Sequence, residues 1–274
     1  MKAIKLILLG VSLFSILPLG AQVFDKPRSF AEADSLDRVQ YRVLYQLDFI
    51  SDPTDREYVT QDQVRLDIGT QISKVYSLKH YQADSAATPL IETGQFPRKI
   101  VTDVVPPIIL YRGYPKTQDI TTDYRLPAGA PVMSYVEPKP TLQWQVKPEK
   151  REILGHSCQR AEVSFGGRQW IAWFTSEIPL SEGPYKFGGL PGLILEVADS
   201  EGDYRYTCIG IANLSAGENI VRWKWNQRPT TRKELEKIIV QLYANPEQAI
   251  KALGGRMGFK GDPMLNLPYN PIEK

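Results

Sequence analysis

The sequence predicts a mainly β fold, one curved antiparallel sheet or half-barrel with helices at its carboxy-terminal end. Three observations carry this: a hydrophobic period of two along most of the chain, glycine-marked hairpins between apolar runs, and a helical period only after residue 230. The first strand is the clearest. Val39, Tyr41, Val43, Tyr45, Leu47 and Phe49 alternate with Gln40, Arg42, Gln46 and Asp48 and stop at Ser51-Asp52-Pro53. A strand pair follows at residues 63–68 and 72–78, turning at Gly69-Thr70. Residues 80–98 read as a looser polar excursion. Residues 105–140 carry enough prolines that their strands should be short or lie at an edge, since proline gives no ladder hydrogen bond.

The pattern is sharpest from Ile153 to Ile211. Segments 157–165 and 168–174 flank Gly166-Gly167, a hairpin signal because glycine reaches positive φ at little cost. In the second of these strands Trp170, Ala172 and Phe174 share one face, and Ile171 and Trp173 the other, so both faces are apolar. A second hairpin joins 193–198 to 204–211 across Asp199 to Asp203, and Val221, Trp223 and Trp225 mark one face of a further strand. Thr231 and Glu234 stand at capping-box spacing before Leu235, Ile238, Ile239 and Leu242, which recur on one helical face. Asn245 and Pro246 open a second short helix that stops at Gly254-Gly255, and an extended tail follows. Without repeats or linkers, residues 22–274 are expected to form one domain.

The amino end predicts export. Lys2 and Lys5 precede an apolar run from Leu6 to Leu19, too short at 1.5 Å per residue to span a bilayer core of ~30 Å. Pro18 and Gly20 break the run, and Ala21-Gln22 offers a small-residue cleavage point, so residues 1–21 read as a removable signal peptide. The two lysines account for the whole formal charge of +2. The mature chain is therefore neutral, which argues against nucleic acid or an anionic lipid surface as partner. The expected location is exported: periplasm, outer-membrane-associated or secreted, with no transmembrane anchor after signal removal. In that compartment Cys158 and Cys208 are candidates for a disulfide, which would remove roughly 4 kcal/mol of unfolded-chain entropy. The alternative is two separate buried thiols, each packing as a small hydrophobe in an apolar strand.

Candidate chemistry is sparse. The chain has two histidines, His80 and His156, without metal-site spacing, and no nucleophile elbow, S-x-x-K dyad, P-loop or dinucleotide fingerprint. The reading assigns no catalytic residue, no metal and no cofactor. Glu177, Glu182 and Glu196 are close enough in sequence for an acid and base pair, although three acids near a turn are more often solvated.

One segment exceeds the generic: Gly183-Pro184-Tyr185-Lys186-Phe187-Gly188 followed by Gly189-Leu190-Pro191-Gly192-Leu193-Ile194. It resembles the signature of the GLPGLI family, exported proteins of the Bacteroidota with no established activity. Ile153-Leu154-Gly155, Gly167-Arg168 before Trp170 and Trp173, Glu177-Ile178-Pro179, Leu66 to Ser77, and Asn270-Pro271-Ile272-Glu273 extend the likeness. Physically, the glycines and Pro191 fix a tight path, while Leu190, Leu193 and Ile194 need burial worth about 1.5 to 3 kcal/mol each. The loop either plugs its own sheet or presents Leu190 and Pro191 to a partner. The binding candidates are Trp173, Tyr185, Phe187, Gly189, Leu190, Pro191 and Gly192. The hairpins, the aromatic strand and the Glu-Ile-Pro turn look similar to the periplasmic lipoprotein-carrier fold, an analogy that licenses no function by itself. The expectation is a non-catalytic binding or assembly module for an apolar ligand, lipid or envelope protein partner. The alternatives are an envelope enzyme using those carboxylates and a purely structural envelope protein.

Overall fold

A computed structural model describes residues 26–95, 106–127, 129–214, 217–254 and 266–274. The expected signal peptide, Gly255 and the end of the 80–98 excursion lie outside the described residues. The chain runs β1 (Ala33–Arg38), β2 (Tyr41–Phe49), β3 (Thr60–Ile68), β4 (Ser73–Ser77), α1 (Leu78–Glu92), β5 (Ile108–Arg112), β6 (Asp119–Arg125) and β7 (Val132–Pro138). It continues with β8 (Gln145–Ile153), β9 (His156–Phe165), β10 (Arg168–Thr175), β11 (Leu193–Asp199), β12 (Tyr204–Asn213), β13 (Asn219–Trp223), β14 (Gln227–Pro229), α2 (Arg232–Ala244) and α3 (Pro246–Ala252).

Twelve strands form one sheet in the order β14-β7-β6-β5-β4-β3-β2-β12-β11-β10-β9-β8, antiparallel throughout except for β14 on β7. Two meanders, β2 to β7 and β8 to β12, meet where β12 pairs with β2. This topology dictates curvature. Ten strand spacings separate β7 from β8 in that order, about 48 Å if the sheet were flat at ~4.8 Å per spacing. Yet only residues 139–144 join the two strands, a reach of roughly 25 Å at most. The two flanks must therefore curl toward each other, as the cumulative twist of so many strands also demands.

Both edges are blunted against further pairing. β8 carries Lys147, Glu149, Lys150, Arg151 and Glu152 around Pro148, and β14 is three residues ending in Pro229. Inside the curl, β2 buries Val43, Tyr45 and Leu47 completely, as its alternation predicts. One core cluster joins these to Val75, Leu110 and Ile120 from one flank and Ala161, Trp170 and Phe174 from the other. The helix α2 covers the flank formed by β6 and β7, where Leu235, Ile239 and Leu242 meet Tyr124, Met133 and Tyr135. Burying each of those aliphatic side chains stabilises by about 1.5 to 3 kcal/mol. The capping box forms as the spacing predicts: Thr231 accepts from Glu234 N, and Glu234 accepts from Thr231 N. Among the described residues no helix is long and apolar enough to cross a membrane.

Several expectations change. Residues 78–92 are the helix α1, capped by Ser77, rather than a loose excursion. Its inward residues are His80, Asp84 and Ala87, so polar pairing replaces the apolar stripe that periodicity detects. The proline-rich stretch yields short strands of five to seven residues, but β5 and β6 are interior, because no proline falls within them and Pro138 stands at the end of the β7 ladder. Val221 and Trp223 share β13 as expected, but Trp225 lies beyond its end, and β13 pairs with β1 in a separate two-stranded sheet. The two cysteines are free and buried, with β10 and β11 standing between their strands, so the disulfide expectation gives way to two packed thiols. Burial pushes both thiols up to about 11, which leaves little thiolate near neutrality. A thiol reagent at pH 8 is expected to modify neither cysteine in the native protein and both in denaturant without reductant; a count of zero in denaturant would show the bond.

Candidate functional site

The curl leaves space that its own side chains do not fill. A cavity of about 320 Å³ lies between the sheet, α2 and the tail, within the range of small-molecule sites. Val64, Val75, Leu110 and Tyr206 form its sheet wall, Leu235, Ile239 and Leu242 its helix wall, and Leu267, Tyr269 and Ile272 its tail wall. Period-two alternation places the first group, because every second residue of β3, β4, β5 and β12 faces inward. Apolar side chains dominate, so a ligand gains by leaving water there.

The tail forms a wall only because residues 266–274 are tied down at three points. Asn266 N and Leu267 N donate to Ala244 O and Tyr243 O at the end of α2, at 2.9 and 2.7 Å. Arg168 then grips the middle, with Nη2 donating to Asn270 Oδ1 at 2.6 Å and to Pro271 O at 2.8 Å. Tyr204 Oη donates to Asn270 O at 2.5 Å, and Asn270 Nδ2 donates to Ile50 O at 2.8 Å. At the end, Glu273 accepts from Lys186 Nζ at 2.6 Å and from Tyr185 Oη, and pairs with Arg232 Nη2 at 2.7 Å. Lys274 N donates to Gly166 O at 2.7 Å.

Glycine makes this closure fit. Gly167 has φ of +74°, and a Cβ there would lie 2.9 Å from Lys274 Cβ. The hairpin turn thus meets both backbone demands, a left-handed conformation and room for the tail.

Electrostatics favour the closed arrangement. Arg168 Nη1 contacts Asp199 Oδ2 at 2.7 Å and Asp203 Oδ2 at 2.9 Å. Glu201 joins these two as a close carboxylate trio, and the Arg168 guanidinium is the cation they share. Burial raises the Asp203 carboxyl, but hydrogen bonds from Arg168, Asn270 and Arg56 outweigh it and bring it down to about 2. Around Lys186, burial opposes the ammonium while Glu273 and Glu137 hold it charged, and the net effect is upward. Glu273 is lowered in turn, since Lys186, Tyr185 and Arg232 outweigh its burial. At the opposite wall, burial and the nearby Arg125 and Arg28 drive His80 well below its usual value, so its imidazole is neutral.

The signature loop is mostly interior. Leu190, Leu193 and Ile194 are buried in the protein's own core, so this part of the loop packs into the sheet, with Pro191 exposed beside it. Phe187 packs on Trp170 at 4.6 Å, and its carbonyl accepts from Arg112 Nη1 at 2.7 Å. Trp144 Nε1 donates to Gly188 O at 2.8 Å. At Gly192 the φ of +154° and a Cβ only 2.0 Å from Thr175 O exclude any side chain.

Of the seven binding candidates, Tyr185 alone lines the cavity, beside Lys186. Phe187 and Gly192 are buried in the plug, Gly189 and Pro191 are exposed on its outside, and half-buried Trp173 lies under the Arg151 guanidinium, 4.2 Å from its ring centre. The three carboxylates are held apart. Glu177 accepts from Ser157 N and contacts His156 Nδ1, Glu182 pairs with Arg112, and Glu196 pairs with Arg151 and Arg205. Sequence reasoning gave no role to Arg168, Lys186, Tyr204, Tyr206, Asn270 or Glu273. The available signal was a charge inside an apolar run, as with Lys186 between Tyr185 and Phe187.

The grip is testable by acid. A carboxylate held down by partners contributes stability above its unfolded value near 3.8, and that contribution disappears as pH falls through the folded value. Arg168→Leu leaves Asp199 and Asp203 buried without their shared cation, at a cost of about 3 kcal/mol near neutrality. Urea unfolding should show that loss at pH 7 and a shrinking gap between variant and wild type from about pH 5 toward pH 2; a gap independent of pH would contradict the assignment.

Residues 167–196, which include Arg168, Lys186 and the signature loop, match a family described as protein of unknown function (Porph_ging). No curated protein matches the chain. Among solved structures, the chain is similar to PNGF-II in two crystal forms. The form in space group P21 has 12% identity and a TM-score of 0.50 over 75% of this chain and 34% of that one. The form in C2 has 13% identity and a TM-score of 0.49 over 75% and 33%. The chain thus spans about a third of the length of PNGF-II, and at this identity the first likeness is one of fold alone.

Proposed function

We propose that this chain is an exported protein of the GLPGLI kind, a non-catalytic module of the cell envelope that holds an apolar ligand in the cavity under its tail. The cavity itself carries this reading. A sheet of twelve strands could fill its concave face with larger side chains or draw α2 closer, and close packing is the rule in protein interiors. An apolar space of about 320 Å³ is instead retained, of the size and character of a ligand site. Export rests on the Lys-rich, apolar and small-residue order of residues 1–21. An envelope location suits the reading, because apolar molecules crossing an aqueous compartment need a cover from water.

Saturable micromolar binding of the neutral apolar fluorophore N-phenyl-1-naphthylamine tests it. Ile239→Trp, which fills the helix wall, should weaken binding at least tenfold while circular dichroism and the melting temperature stay close to wild type. Absence of binding by the wild type, or equal binding by a folded Ile239→Trp, would contradict the proposal.

A further inference from the structure

Every described cation that borders the cavity is already taken. Arg125 is paired with Asp84 of α1. Lys186 Nζ sits 2.6 Å from both Glu137 Oε1 and Glu273 Oε1. Arg232 contacts Glu236 at 2.7 Å, Glu273 at 2.7 Å and Glu137 at 3.4 Å. The remaining charged groups in the wall are carboxylates, with Asp62 only 1% exposed. An anionic head group entering this space would leave water without gaining a counter-ion that is not already paired.

Hydrogen-bonding capacity remains, and it is neutral. Tyr206 lines the cavity at 3% exposure, and its hydroxyl has no hydrogen-bond partner among the described residues. Its neighbours in the wall differ: Tyr76, Tyr185 and Tyr204 give their hydroxyls to Asp67, Glu273 and Asn270. A hydroxyl that borders an apolar cavity with no protein partner among the described residues keeps its full hydrogen-bonding capacity for a ligand's polar group. Tyr243 and Tyr269, half-buried with ring centres 4.4 Å apart, line the same cavity where the tail crosses α2 and likewise have no hydroxyl partner among the described residues.

We infer that the ligand is an uncharged amphiphile, an apolar chain ending in a hydroxyl, ester or amide group that hydrogen-bonds Tyr206, and not a fatty-acid or phospholipid anion. This deepens the binding reading above and rests on it. A carboxylate-terminated chain fits the volume equally well, so the discrimination lies in charge rather than shape.

Displacement of bound N-phenyl-1-naphthylamine separates the two claims. At pH 8, hexadecanol and 1-monopalmitoylglycerol should displace the fluorophore at concentrations at least tenfold below palmitate, compared below their aggregation limits. Tyr206→Phe, which keeps the ring, should weaken hexadecanol three- to tenfold and narrow its advantage over palmitate. If the fluorophore never binds, the cavity reading fails and this inference with it. If it binds and palmitate displaces it as well as hexadecanol does, or Tyr206→Phe changes nothing, the binding reading stands and the inference on ligand charge is overturned.

Discussion

The attachment of the tail to the signature loop and the β9–β10 hairpin is the constraint on which the remaining arrangement depends. Arg168 and Lys186 enter the interior at 3% exposure each, and both meet carboxylates there. Buried ion pairs of this type add little net stability over well-packed apolar groups, because desolvation offsets most of the attraction. Their consequence is position. A charge that must find its partner tolerates few alternative placements, so residues 270–274 can lie in one path across the cavity. Removing one partner then costs far more than the pair contributes.

From that attachment the site follows in steps. Curvature comes from the short link between β7 and β8, which forces a long sheet to bring its flanks together. The signature loop fills one part of the resulting trough with Phe187, Leu190 and Ile194. It leaves the part under β3 to β6, which α2 and the tail roof over. The loop therefore acts at a distance from most of the cavity. It contributes Tyr185 and Lys186 to the wall, and its remaining side chains support the surface on which the tail is clamped.

Much of this was legible in the residues. The alternation of β2, the Gly166-Gly167 turn and the Thr231 capping box each reflect a local rule, and local rules survive folding. The plug reading of Leu190, Leu193 and Ile194 followed from their need for burial. Long-range polar pairing was not legible. Helix α1 hides its inner face in Asp84 and His80, and the partner that makes Asp84 an inward residue, Arg125, lies 41 positions away. Similarly, Asn270 and Glu273 look like solvated tail residues until Arg168 and Lys186 are placed beside them, about a hundred positions upstream. The cysteines illustrate the same limit, since strand order decides whether two residues in apolar strands are neighbours.

The most direct measurement of the clamp is a double-mutant cycle between Lys186→Met and Glu273→Gln, read by urea unfolding at pH 7. Coupling isolates the pair from the other costs of each substitution. The account predicts that each single change is destabilising and that the double variant recovers part of the loss, with an interaction of about 1 to 3 kcal/mol. Strict additivity of the two changes would place Glu273 away from Lys186 in solution and contradict the account.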